Sequence, residues 1–313
     1  MACSLSSWQR SSHSQTITML FFYFLLFVST ASAFTTSLMS HHDRYHATLG
    51  PTSLHMALFD FGSRSSAGTP KIPTSPSDRD NQAINAVKEA ISNPKTKSLP
   101  LLECEFPALQ ALNKLGDGSL RSTIEAEKAN LSFAIKLLKA VSLPFVGPKT
   151  WLLTSSTASK SFFSAASSSF KGGNAAVHSL KDGLPNVDQG DICVLVTPSS
   201  RSDYEAAKKI ASAGVAAAVV IVNGFAKDQK SVPSDATMAF FLKPLTYNSQ
   251  VAGYLIRNYP GKWATLDATS KEVLGTFSDS EILVRGTNTP DLRPSGRLVQ
   301  KSVDERAIRA RGG

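Results

Sequence analysis

Residues 191–223 read DICVLVTPSSRSDYEAAKKIASAGVAAAVVIVN, two apolar runs separated by a helical pattern. Both runs are apolar at almost every position, which is typical of strands that are buried on both faces of a sheet. Asp203 can cap the intervening helix, and Gly214 can end it in the left-handed conformation. A strand, a helix and a strand within 33 residues predict a βαβ unit and hence a parallel sheet covered by helices.

Upstream of this unit, helical and extended patterns alternate. The predicted elements are, in order, helix 80–93, strand 101–106, helix 108–115, helix 119–141, strand 149–154 and helix 155–170. Asp80 is the expected cap of the first helix, and Phe162, Phe163 and Phe170 are expected to face inward on the last. This alternation extends the α/β pattern over the first half of the folded region.

Downstream of the unit the pattern changes to short strands. Apolar runs at 238–242, 251–257, 263–267 and 272–277 are joined by tight turns and predict an antiparallel end to the sheet. After Gly286 the chain is polar and basic, so residues 285–313 are predicted to form a disordered basic tail. We therefore expect one α/β domain over residues 80–284, with a mostly parallel central sheet flanked by helices and an antiparallel C-terminal portion.

The N-terminal residues have the composition of a two-part targeting leader. A mainly apolar run at 17–28 is preceded by Arg10 and followed by the small-residue site Ala31-Ser32-Ala33, which predicts a signal peptide over 1–33. The alternatives are a membrane anchor, for which the run is short, and a secreted protein. No transmembrane segment is expected in the mature chain.

The residues after that site are typical of a plastid transit peptide. Ala31-Ser32-Ala33-Phe34 resembles the junction found in plastid proteins of diatom-like algae with secondary plastids, and the following stretch is rich in Ser and Thr and poor in acids. Residues 34–79 are interpreted as a transit peptide and a Ser/Pro-rich linker. The expected location is the plastid, in the stroma or at the thylakoid periphery, reached through the secretory pathway.

The charge distribution argues against a nucleic-acid partner. The formal net charge is +9, but residues 80–284 carry 21 Lys/Arg against 18 Asp/Glu, a net of only +3. Nucleic-acid-binding domains usually show a basic stripe on the folded part, and none is visible here.

Several common chemistries lack their residues. His178 is the one histidine after the leader and lies in a segment that looks like an exposed loop, while Cys104 and Cys193 lie in apolar runs typical of buried thiols. No metal site, no cofactor and no catalytic residue is therefore predicted, although a carboxylate-only magnesium site stays open. The phosphate-binding glycine motifs and the GxSxG nucleophile motif are absent from the sequence.

Two features could carry acid–base or anion chemistry. Ser199, Ser200, Arg201 and Ser202 lie between a strand and the start of a helix, where α/β sheets often bind anions, so they are the candidate anion site; an ordinary capped turn is the alternative. Glu103 and Glu105 share a face of one strand and are either an acid–base pair or the polar side of a half-buried strand.

The segment 257–263 reads RNYPGKW and is the most distinctive in the chain. Pro260-Gly261 predicts a type II turn with positive φ at Gly261. Arg257, Tyr259 and Trp263 are candidate partner-binding residues, because Arg, Tyr and Trp are enriched at interface hot spots. The alternative is a hairpin in which Trp263 belongs to the core.

These pieces together resemble the family called domain of unknown function 1995. The resemblance rests on RNYPGKW, the preceding strand VVIVN, the early Glu105-Phe106-Pro107, and the segment ANLSF at 129–133. It spans about residues 80–280. The chain departs from the pattern at Asn223-Gly224, where Asn-Pro is expected.

The resemblance implies a plastid or cyanobacterial protein without transferable catalytic residues. One branch of the family is implicated in photosystem II accumulation as an assembly factor, and another is joined to an adenylate kinase that this chain lacks. The expected function is a non-catalytic binding or assembly factor with a plastid protein partner such as photosystem or thylakoid components. The alternative is a phosphate- or nucleotide-binding protein or enzyme that uses residues 197–203.

Overall fold

The computed structural model describes residues 70–93, 99–107, 120–142, 148–170, 174–224 and 235–312. The helix expected at 108–115 and the targeting leader up to residue 69 lie outside these ranges. The elements are α1 Pro76–Ser92, β1 Leu101–Glu105, α2 Leu120–Val141, β2 Thr150–Thr154, α3 Lys160–Ser169, β3 Ala175–Ser179, β4 Ile192–Val196, α4 Arg201–Ser212, β5 Ala218–Val222, β6 Thr237–Tyr247, β7 Gln250–Asn258, β8 Trp263–Asp267, β9 Val273–Phe277, α5 Asp279–Ile282 and α6 Leu292–Gly312.

The strands of the described residues form one nine-stranded sheet in the order β3-β2-β4-β5-β1-β6-β7-β8-β9. The strands from β3 to β6 run parallel, and β6 to β9 are antiparallel neighbours. The α/β class, the mostly parallel sheet and the antiparallel C-terminal portion are therefore confirmed.

Both faces of the sheet are covered, which explains why the parallel strands are apolar throughout. Helices α1, α2 and α3 pack on one face around residues such as Leu137 and Val194. Helix α4 packs on the other face of the parallel half, where Ile210 joins Leu195 and Ile221. Every residue of β4 and β5 is consequently buried.

Helix α6 covers the second face of the antiparallel half. Val299 is 1% exposed and joins Phe241, Leu255 and Trp263 in a third apolar cluster. The helix lies very close to β7, because a Cβ atom added to Gly253 would come within 2.4 Å of Val299 Cγ2. Gly253 thus provides the space in which α6 packs.

The expectation of a disordered tail over 285–313 is wrong for residues 292–312, which form α6. The sequence reads as polar because only Ser295 and Val299 of this helix are fully buried. The helix is stabilised by the sheet beneath it and not by a continuous apolar stripe of its own.

Two local expectations also change. Helix α1 starts earlier than expected: Ser75 is its N-cap and accepts a hydrogen bond from Asp78 N, while Asp80 is buried inside the helix. In α3, Phe162 is buried as expected, whereas Phe163 and Phe170 are only half-buried.

Candidate functional site

The crevice between β2 and β4 is the place where this topology favours ligands. The chain leaves β2 through α3 to reach β3 on one side, and later returns to β4 on the other side of β2. Helices α3 and α4 follow these two strands on opposite faces of the sheet. Ligands of open α/β sheets bind outside the carboxyl ends of the strands at such a switch point.

The carboxylate of Asp203 occupies this crevice. It lies in the first turn of α4 and is fully buried. Its Oδ2 accepts hydrogen bonds from the backbone N–H groups of Ser199 at 3.0 Å and Ser200 at 3.2 Å, and from the Ser155 hydroxyl at 2.7 Å. Its Oδ1 accepts from the backbone N–H of Ser156 at 2.9 Å. The carboxylate therefore joins the loop after β2 to the loop after β4.

Hydroxyl groups surround this carboxylate. Ser155 Oγ lies 2.9 Å from Ser199 Oγ, and Ser156 Oγ lies 3.2 Å from Ser200 Oγ. The Thr157 hydroxyl also contacts the Ser199 hydroxyl. We call Ser155, Ser156, Thr157, Ser199, Ser200 and Asp203 the switch-point cluster.

Asp203 is ionised at neutral pH. Burial by itself would raise its pKa, but hydrogen bonds from Ser156, Ser155 and Ser199 outweigh burial and lower the pKa below the ordinary value. The N–H groups at the start of α4, which could hold a phosphate, are thus already paired with an internal anion. An added anion would meet the negative charge of Asp203.

The predicted anion residues divide between two roles. Ser199 and Ser200 belong to the switch-point cluster, and Ser200 forms a capping box with Asp203. Arg201 is exposed and pairs with Glu205, Nε to Oε1 at 2.9 Å, one turn further along α4. Ser202 is exposed, with its hydroxyl 2.8 Å from that of Ser200. The geometry matches the capped turn, which the sequence had left as the alternative.

A second polar cluster lies at the same edge, between β5 and β1. Asn223 Oδ1 accepts from the backbone N–H of Phe106 at 2.8 Å, and Asn223 Nδ2 donates to Asn130 Oδ1 at 2.7 Å. The Asn223 backbone N–H donates to the carbonyl of Cys104 at 2.9 Å. Asn223 itself has a positive φ of 47°, which asparagine tolerates better than most residues.

Phe106, Asn130 and Asn223, which we call the asparagine cluster, join three segments that are distant in sequence. Phe106 comes from EFP, Asn130 from ANLSF and Asn223 from the end of VVIVN. Phe106 and Phe133 also stack edge to face with ring centroids 4.8 Å apart. Sequence reasoning did not connect these residues, and the available signal was Asn223 directly after the apolar run that forms β5.

The family model for a domain of unknown function, DUF1995, matches residues 73–281. The chain belongs to the DUF1995 family. Neither the search of curated proteins nor the search of solved structures found a match. The asparagine cluster thus connects pieces of the DUF1995 domain from its first strand, its long helix and its fifth strand.

Gly224, where the DUF1995 resemblance leads us to expect proline, is closely packed. A Cβ atom at this position would lie 1.8 Å from the Tyr204 hydroxyl oxygen. Tyr204 is 1% exposed and lies in the first half of α4. The departure from the expected Asn-Pro therefore leaves room for a buried tyrosine side chain from α4.

The RNYPGKW segment spans the end of β7, the following turn and the start of β8, and its Arg257 and Asn258 pair with Phe241 and Phe240 of β6. Trp263 is 0% exposed and Arg257 is 7% exposed. Trp263 Nε1 donates to Asp279 Oδ1 at 2.7 Å, and the Trp263 ring packs on Phe241 with centroids 5.1 Å apart. The burial of Trp263 matches the alternative of a hairpin in which Trp263 belongs to the core. A partner-binding role for Arg257, Tyr259 and Trp263 stays a prediction, and Arg257 and Trp263 offer little exposed surface for it. Tyr259 alone of the three stays half-exposed.

The turn in this segment also differs from the prediction. The Tyr259–Pro260 peptide bond is cis, and the Gly261 N–H donates to the Asn258 carbonyl at 2.8 Å. Positive φ among the described glycines occurs at Gly183, Gly190, Gly214 and Gly286. The type II turn with positive φ at Gly261 is thus incorrect. Arg257 holds the actual turn by donating from Nη1 to the Gly261 carbonyl.

His178 and the two glutamates have structural surroundings. His178 lies on the edge strand β3 and not in a loop, and its Nε2 is 3.0 Å from the Gly183 carbonyl. Glu103 is 1% exposed and accepts from Asn288 Nδ2 at 2.7 Å, whereas Glu105 is half-buried. The glutamates therefore do not form an exposed pair.

The two cysteines are buried, as expected, and burial raises the pKa of both thiols, that of Cys193 to about 12. Within the described ranges, no group of three His, Cys, Asp or Glu side chains could hold a metal ion. The same part of the chain contains no helix that is long and apolar enough to cross a bilayer. A cleft beside α1 has a volume of about 70 Å³, well below the roughly 300 Å³ typical of ligand pockets.

Proposed function

We propose that this DUF1995 protein is a non-catalytic binding factor of the plastid that acts in the assembly or maintenance of thylakoid complexes, with photosystem biogenesis as its setting. Family membership supports an assembly role, because the resemblance implies relatives that act as assembly factors. The two-part leader supports a plastid location.

The proposal that the protein is non-catalytic rests on the hydrogen bonds that the Asp203 carboxylate accepts. Their donors are Ser199, Ser200, Ser155 and Ser156. The crevice where an α/β sheet would hold its ligand is closed by hydrogen bonds within the chain and has a negative charge. A binding factor needs no such crevice, since its partner contacts the outer surface.

The second candidate is a phosphate- or nucleotide-binding protein that uses residues 197–203. The position of this loop at the switch point favours it. Binding would require the ligand to displace Asp203 from the N–H groups of α4.

Calorimetry with ATP, GTP, AMP and sugar phosphates distinguishes the two candidates. For the wild type we expect no heat of binding with any of them. The Asp203→Asn variant lacks the negative charge that would repel a bound phosphate, so any weak phosphate binding at this loop should be easier to detect in it than in the wild type. Binding by the wild type that Arg201→Ala abolishes would instead establish the second candidate.

Location and assembly need separate experiments in the host alga. A fluorescent protein fused to residues 1–80 should enter the plastid, and Phe34→Ala should block its import; import of that variant would contradict the leader assignment. Loss of the gene should lower the amount of assembled photosystem on native gels, and the wild-type gene should restore it. Normal photosystem levels without the protein would contradict the assembly role.

A further inference from the structure

Helix α6 is the part of the described fold that lies beyond the family match. The DUF1995 model ends at residue 281, whereas α6 spans Leu292–Gly312. The outward face of this helix therefore lies outside the residues matched by the family model. It is also independent of the proposed assembly function.

The helix is held against the sheet along its length. Near its middle, Val299 packs in the space above Gly253. Further along, Ser302 Oγ donates to the buried carboxylate of Asp267 at 2.8 Å, and Arg306 also donates to that carboxylate. Because these contacts hold one side of the helix, the opposite side must face solvent.

The solvent side of α6 is basic. Arg297, Lys301, Arg309 and Arg311 are exposed along it, with 75% of the Lys301 side chain accessible. Ile308 is 69% exposed among these arginines and is one of the few large apolar side chains exposed in the described part of the chain. From Arg297 to Arg311, at a rise of about 1.5 Å per residue, these charges are spread over about 21 Å of the helix.

The two acids of the same helix offset part of this charge, and both precede its last two turns. Asp304 accepts a hydrogen bond from the Tyr247 hydroxyl at 3.1 Å, and Glu305 lies 3.8 Å from Lys301. After Glu305 the sequence contains three arginines and no acid. Arg306 is bound to Asp267, so Arg309 and Arg311 remain as exposed charges beside Ile308 at the end of the helix.

We propose that the outward face of α6 docks on the surface of an anionic lipid bilayer. A planar anionic surface can contact Arg297, Lys301 and Arg311 at once, because the helical period places them on one side of α6 with Arg309 at its flank, and guanidinium groups bind phosphate and sulfate oxygens in pairs. Clusters of four or more basic residues on a surface helix are typical of anionic-lipid contacts. With Ile308 as its one large exposed apolar side chain, the helix lies on the headgroups and does not enter the hydrocarbon.

Vesicle co-sedimentation of the full chain tests this proposal. The probes are vesicles of phosphatidylcholine alone and vesicles in which one third of the lipid is phosphatidylglycerol. We expect the anionic vesicles to bind more strongly, with the excess falling as salt rises. The variant with Arg297→Gln, Arg309→Gln and Arg311→Gln should lose roughly a hundredfold of the affinity for anionic vesicles.

The matched control removes three charges elsewhere, with Lys139→Gln, Lys209→Gln and Lys262→Gln on exposed positions. Every protein keeps the apolar leader, so its contribution to lipid binding is the same in all samples. The control should keep most of the affinity. Equal losses for the two triple variants, or no preference for anionic vesicles, would overturn the proposal. Retention on immobilised polyglutamate through the same three arginines, without vesicle binding, would assign the surface to an acidic protein instead.

Discussion

Asp203 and Ser156 connect the two strand-end loops of the switch point, since Asp203 Oδ1 accepts the backbone N–H of Ser156 at 2.9 Å. The other oxygen of the same carboxylate accepts three further hydrogen bonds from Ser155, Ser199 and Ser200. One carboxylate therefore accepts hydrogen bonds from backbone N–H groups both at the start of α4 and in the loop after β2.

Asp203→Ala should lower the free energy of unfolding by about 2–3 kcal/mol, because it removes a helix cap and leaves buried N–H groups without partners. Urea unfolding measures this loss. Glu205→Ala is the control, since it removes an exposed carboxylate from the next turn of α4 and should cost less than about 0.5 kcal/mol. Equal losses for the two variants would show that the Asp203 network contributes nothing.

Asn223→Ala should destabilise the protein by about 2–4 kcal/mol, because the Phe106 N–H and the Asn130 amide both lose their partner in a buried setting. Asn248→Ala is a matched control, since Asn248 is exposed in a hairpin and has a φ of 50°, close to the 47° of Asn223. Thermal and urea unfolding of both variants separate the cost of losing the hydrogen bonds of Asn223 from the cost of placing alanine at a positive φ. In a double-mutant cycle, Asn130→Ala should add little to Asn223→Ala.

Trp263→Ala should cost about 3–5 kcal/mol of stability, because a fully buried indole is replaced by a cavity. Val273→Ala, at a 40% exposed position of the neighbouring strand, should cost far less. Denaturant midpoints compare the two. A Trp263→Ala protein with an unchanged midpoint would contradict its burial and restore the idea of a recognition surface.

Asp267 should make the free energy of unfolding decrease in acid. Burial raises its pKa, but hydrogen bonds from Arg306, Ser270, Ser302 and Thr269 outweigh burial and lower the pKa to about 2. Because the folded pKa lies below the unfolded value, this stabilisation is complete above about pH 4 and is lost as the pH falls towards 2. It contributes on the order of 2–3 kcal/mol.

Unfolding of the wild type and of Asp267→Asn across that pH range measures this contribution. The difference in stability between the two proteins should shrink as the pH falls from 4 to 2, and α6 of the variant should be cleaved faster by trypsin at neutral pH. A difference that does not change with pH would show that the Asp267 carboxylate is not coupled to folding.

The fold was predictable where local pattern and burial agree. Residues 191–223 are apolar on both faces of each strand because helices cover the sheet on both sides, so the pattern identifies a βαβ unit without knowledge of its neighbours. Helix α6 could not be predicted in this way. Its stability depends on Gly253 of β7 and Asp267 of β8, which are distant in sequence. The sequence of the helix itself contains few apolar residues.

The position of the candidate site was predictable from the sequence, but whether its N–H groups were open to a ligand was not. The loop with Ser199 and Ser200 lies after an apolar strand and before a helix, and any parallel sheet places such a loop at its carboxyl edge. The N–H groups of that loop are closed to a ligand by Asp203, and the Asp203 carboxylate is in turn held by Ser155 and Ser156, which are more than forty residues away in sequence. Burial of Trp263 likewise depended on α6 and Phe241.

The sequence by itself determined the class of the fold, the parallel and antiparallel halves, and the two buried cysteines, because these follow from periodicity and hydrophobicity along the chain. Only the tertiary structure decided that β1 lies between β5 and β6, since buried strands of similar composition do not specify their neighbours. It also decided which polar residues are internal. Asp203, Asn130 and Asp267 are polar residues whose burial is possible because distant segments supply the hydrogen bonds that replace water.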